Sequence, residues 1–167
     1  MEILHTILAR TITGISDKLT YINHGGCGHY AYEVQQALSA HEIDASIVLI
    51  DHCYNESSVD RFIKSIGGAH DITSAYRIHF ANGKTNGGYA NPCFGHICVK
   101  VDDILYDSDG INHGRVISDN IEPDAMALAL RAEGTWNPTF MDANNDGVSV
   151  MRAYIEDALA PIGVCDE

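Results

Sequence analysis

Cys27 is the residue whose surroundings most invite chemistry. Gly25 and Gly26 precede it and Gly28 follows it. Tyr30, Ala31, Val34, Ala37 and Leu38 then recur at helical spacing, so the thiol is expected at a helix N-terminus. There the positive end of the helix dipole and the unpaired N–H groups favour the thiolate, the nucleophilic form. The glycines leave room for an acyl carbon to reach the sulfur while backbone N–H groups point at the resulting oxyanion. A cysteine nucleophile also needs a base, and the base needs a group to orient it. His96 is the first choice, because it opens a strand in which Ile97, Val99 and Val101 alternate with Cys98 and Lys100. If Asp102-Asp103 turns that strand into a hairpin, His96 shares a face with Cys98, Asp107 and Asp109. The register puts Asp109 opposite His96 and Asp107 on the diagonal, so geometry alone leaves two candidates for the orienting carboxylate. For the oxyanion the candidates are the N–H of Cys27, Gly26 beside it and the side chain of Asn23. Tyr30 is a candidate to line the substrate pocket.

Those residues carry a resemblance. The segment Gly25-Gly26-Cys27-Gly28-His29-Tyr30-Ala31 is similar to the nucleophile segment of transglutaminase-like proteins, G-x-C-x-x-aromatic-A. Gly95-His96-Ile97-Cys98-Val99-Lys100-Val101 and then Leu105-Tyr106-Asp107-Ser108 resemble their base and acid segments, in the order found across the wider papain-like superfamily. The likeness covers residues 23–111. It implies a triad of Cys27, His96 and Asp107, with Asp107 preferred to Asp109 on this ground only. It also implies acyl transfer through a thioester, with a peptide or amide as substrate and no cofactor.

The elements that must position these residues can be read from periodicity. Ile3, Leu4, Ile7, Leu8, Ile12, Ile15 and Leu19 mark an N-terminal amphipathic helix, which Gly14 is expected to weaken toward its end. The β-branched run at 43–50 reads as a buried strand, and Val116-Ile117-Ser118 as a short further one. Ser57 or Ser58 is placed to cap a short helix carrying Val59, Phe62, Ile63 and Ile66. Tyr76, Ile78 and Phe80 alternate as in a half-exposed strand, and residues 82–95 form a long glycine- and asparagine-rich loop. Pro123 opens a helix expected to run to Glu133, and a last helix covers 148–160 before Pro161. The expected architecture is a single α+β domain over 1–167, with N-terminal helices packed on a mostly antiparallel sheet in a papain-like or transglutaminase-like core.

Composition excludes several other functions. The 167 residues hold 10 Lys plus Arg against 23 Asp plus Glu, a net charge of −13, with no basic cluster to meet a phosphate backbone. Nucleic acid is therefore not an expected partner. The longest aliphatic run, Ile47-Val48-Leu49-Ile50, falls far short of the ~18–20 residues of a membrane span. Met1-Glu2-Ile3-Leu4-His5 has no basic leader, and the five cysteines are an odd number in a chain long enough to do without staples. A reducing cytoplasm is expected, while the sequence leaves the oligomeric state open.

Cys93-x-x-His96-x-Cys98 with His52-Cys53 offers half a zinc site, which leaves a zinc-stabilised domain as one alternative reading. A catalytically inactive transglutaminase-like binding module is another. The segment 142–147 copies the first half of a calcium loop, but Ala153 stands where a bidentate glutamate is required. No metal is therefore assigned. The glycine doublets lack the following residues of a nucleotide-binding loop.

Overall fold

The structure is a computed structural model and describes residues 2–20, 22, 26–51, 96–124, 126–127 and 146–164. Its class is α+β. Helix α1 spans Glu2–Ser16 and α2 spans Cys27–Ala40; strands follow as β1 (Ser46–Asp51), β2 (His96–Val101), β3 (Ile104–Asp107), β4 (Gly110–Asn112) and β5 (Arg115–Ile121). Helix α3, Gly147–Leu159, runs on into a short 3-10 helix at Ala160–Val164. The expected helix near 59–66, the strand at 76–80 and the loop at 82–95 lie outside the described residues. So does most of the helix expected from Pro123, of which residues 123–124 and 126–127 are helical.

The five strands form one antiparallel sheet in the order β4-β3-β2-β1-β5. Alternation sends Ile47, Leu49, Ile97, Val99, Val101 and Tyr106 into the main core, where they meet Leu8, Ile15, Tyr30, Val34, Leu38, Met151, Ile155 and Leu159. Val48, Ile50, Cys98 and Leu105 make a smaller buried cluster of their own. Both faces of β1 are thus buried, which explains its unbroken aliphatic run; each such side chain contributes about 1.5–3 kcal/mol by leaving water.

Strand β1 starts at Ser46 rather than at Ile43, because the preceding residues close α2. The N–H of Glu42 donates to the Ser39 carbonyl and that of Ile43 to the Leu38 carbonyl, with Glu42 at φ 58. This is the left-handed helix ending usually given to glycine. Helix α1 ends at Ser16, two residues after Gly14 and short of Leu19. A Cβ at Gly14 would lie 2.0 Å from the Tyr154 hydroxyl, so this is where α3 approaches α1 closely. Ile3, counted in the apolar stripe, is exposed.

Two links between elements bear on the site. Arg152 of α3 donates from Nε and Nη2 to the two oxygens of Glu33 on α2, at 2.7 and 2.8 Å. His5 of α1 hydrogen-bonds the Tyr106 hydroxyl through Nδ1 and reaches Asp102 at 3.2 Å through Nε2, joining α1 to the β2–β3 hairpin. Asp102 itself takes φ 53, the positive value that a two-residue primed turn requires at its first central position.

Candidate functional site

Cys27 is the first residue of α2, as its spacing predicts. Gly26 holds the cap position in ordinary backbone geometry (φ −85, ψ −7), and among the described residues no side chain caps the helix start. The first turn contains no acidic residue to compete for its N–H groups. The thiol is partly buried, and it stands near enough to His96 to raise the pKa of the ring.

His96 and Asp107 lie on the two strands of the β2–β3 hairpin at its open end. The ladder pairs Val99 with Tyr106, Lys100 with Leu105 and Val101 with Ile104. This two-residue turn carries His96, the first residue of β2, back beside Asp107, the last of β3. His96 Nε2 lies 3.0 Å from Asp107 Oδ2, with both residues buried. With Nε2 committed to the carboxylate, Nδ1 is the ring nitrogen able to serve the sulfur.

The two aspartates left open by the register are now distinguished. Asp109 lies in the turn after β3 with its side chain exposed, and its backbone N–H donates to Asp107 Oδ1 at 2.8 Å. Asn112 of β4 donates from Nδ2 to Asp107 Oδ2 at 2.5 Å, and its own Oδ1 accepts from the N–H of Gly114 at 2.7 Å. Neither β4 nor Asn112 is anticipated by hydrophobic alternation. The signal available was Asn112 two residues before Gly114, a spacing at which asparagine folds back on its own backbone.

Charge and burial oppose each other here. Burial alone would discharge the His96 ring, but hydrogen bonds and charge from Asp107 and Cys27 outweigh it and push its pKa up to about 10. Burial alone would raise Asp107, yet the hydrogen bonds from His96, Asn112 and the Asp109 N–H hold it below the usual carboxylate value. The ring therefore keeps its second proton through neutral pH while the carboxylate stays ionised.

Tyr30, a candidate to line the substrate pocket, lies on α2. Its side chain is fully buried in the main core, with no hydrogen-bond partner for its hydroxyl among the described residues. Burial, and then the charge of Asp107, raise its pKa well above that of an ordinary phenol. Its place is behind the site, as support. Asn23 lies outside the described residues, as do Cys93, His52 and Cys53 of the half zinc site. Of the calcium-like segment, Asp146 and Gly147 are described: Asp146, at φ 63, turns the chain into α3.

Besides His96, the member of the half zinc site that lies among the described residues is Cys98. Cys98, two residues after His96, is fully buried, and its sulfur, a His96 ring nitrogen and an Asp107 oxygen all lie within 4.8 Å of one another. Burial first, then Asp107 and Cys27, push its thiol pKa strongly up. No helix among the described residues is long and apolar enough to cross a membrane. No protein-family model, curated protein or solved structure matches the chain.

Proposed function

We propose that this protein is a cysteine-dependent acyl-transfer enzyme of transglutaminase-like or papain-like architecture, acting on a peptide or amide through a thioester. The observation that carries the reading is the His96 ring, held at 3.0 Å by the Asp107 carboxylate and close enough to Cys27 for the two to interact. Of the three, Cys27 is the one a substrate can reach, being partly exposed where the other two are buried.

Attack by Cys27 Sγ on the acyl carbon forms a C–S bond and moves the carbonyl electron pair onto oxygen. The N–H groups of the uncapped start of α2 supply donors for that oxyanion. Collapse of the intermediate expels the amine, which takes the proton carried by His96. The ring, now neutral, removes a proton from water or an acceptor amine, whose attack releases the acyl group and restores the thiolate beside a protonated imidazole. Asp107 keeps the ring oriented and favours its protonated form throughout.

Incubation with p-nitrophenyl acetate tests this. A stoichiometric burst of nitrophenolate and one acetyl group on the Cys27 peptide are expected, and Cys27→Ala abolishes both. Acetylation spread evenly over the cysteines would refute the reading.

A further inference from the structure

We propose that His96, Cys98 and Asp107 also form a binding site for a thiophilic divalent cation, zinc in particular, which competes with acyl transfer for the same imidazole and carboxylate. The competition rests on the acyl-transfer reading; the binding does not.

Cys98 has no part in acyl transfer. A buried cysteine is usually a packing residue, and this one does touch Val48, Ile50 and Leu105. Packing does not account for its company on the other side, where a nitrogen and an oxygen donor stand within 4.8 Å of its sulfur. In a tetrahedral zinc site with bonds of about 2.0–2.3 Å, donor atoms lie about 3.3–3.8 Å apart. Movements of about 1 Å, within the range of side-chain rotation, would bring the three donors onto one ion.

The donor set selects the metal. A thiolate, an imidazole and one carboxylate suit zinc, whereas magnesium and calcium require mostly oxygen ligands. Charge also balances: a dication with one thiolate and one carboxylate is neutral, a favourable arrangement where all three residues are buried. Binding forms one Zn–S, one Zn–N and one Zn–O bond. It releases two protons to solvent, from the Cys98 thiol and the His96 imidazolium, with no change of oxidation state. The Asp109 N–H and the Asn112 amide already grip Asp107 from outside, as an outer shell grips a ligating carboxylate. The fourth position is open to water or to the Cys27 thiol.

The test uses metal-free full-length protein titrated with zinc sulfate against a chromophoric chelator, and with cobalt(II) as a spectroscopic substitute. One equivalent should bind with micromolar affinity or better, and the cobalt form should show a thiolate charge-transfer band. Cys98→Ala should lower zinc affinity at least about tenfold, the scale seen when support around a site is lost, and should weaken the band. Asp107→Asn, nearly isosteric, should lower affinity by a similar factor and serves if Cys98→Ala does not fold. Absence of saturable binding overturns the proposal, and so does binding unchanged in Cys98→Ala, which would place the metal on other cysteines. Zinc binding by a protein that shows no preferential acylation of Cys27 removes the enzyme reading and keeps this one; acylation without zinc binding does the reverse.

Discussion

His96 Nε2 and Asp107 Oδ2 are 3.0 Å apart at the buried open end of a hairpin that turns in only two residues. The pair is fixed by register. A slip of one residue would send one of the two side chains to the opposite face of the sheet. Asp107 is held in turn by Asn112 and by the Asp109 N–H, so the base is positioned by three successive strands rather than by a loop.

Removing the base should separate binding from chemistry. His96→Ala is expected to reduce the acylation rate of Cys27 by about 10²–10⁴-fold, the usual contribution of a positioned general acid-base. Stopped-flow nitrophenolate release measures this, and a loss below tenfold would be incompatible with the assigned role.

Asn112 acts through Asp107 and is a positioning residue. Asn112→Ala removes a donor to the ionised carboxylate, so the Asp107 pKa should rise toward its ordinary value and the acid limb of the rate profile should shift to higher pH. The rate on the plateau should fall by about tenfold, since hydrogen bonds to charged groups contribute about 1.5–3 kcal/mol. A uniform loss with no displacement of the limb would point to a merely structural role.

Stability should depend on pH in a direction set by the pair. His96 is raised from 6.5 to about 10 in the folded state, so its contribution is complete below pH 6.5 and is lost as pH climbs toward 10. Asp107 is lowered, so its contribution is present above the ordinary carboxylate value and fades as pH falls below it. Urea titrations should show wild type losing its advantage over His96→Gln between pH 6.5 and 10. Cys98 and Tyr30 also retain protons in this range, and both are common to the two proteins.

The exposed Arg152 secures a buried carboxylate. Arg152→Ala leaves Glu33 unpaired where it is only 7% exposed, and a destabilisation of about 1–3 kcal/mol is expected. Glu33→Gln in the same background should recover part of it, measured as the midpoint of chemical denaturation.

Two-residue alternation made β2, β3 and their turn legible, and the register that follows brings His96 within reach of two aspartates. The three-to-four-residue spacing after Cys27 likewise located the start of α2. What periodicity could not supply was any contact between elements far apart in sequence. Asn112 sits on a strand of three residues, too short to show alternation. Tyr30 lies on the buried side of its helix, and one aromatic on a helix does not say which way it faces. The close approach at Gly14 was hidden for a related reason: the cost of glycine in a helix is visible locally, whereas the Tyr154 hydroxyl it accommodates lies 140 positions away by subtraction of the residue numbers.

The clamp between Glu33 and Arg152 spans 119 positions. At about 5–20 residues per second, a ribosome makes Glu33 roughly 6–24 s before its counter-ion exists. Throughout that interval α2, which begins at Cys27, lacks the ion pair that ties it to α3. The docking of α2 against α3 is thereby deferred until the late helix has been translated and has folded back.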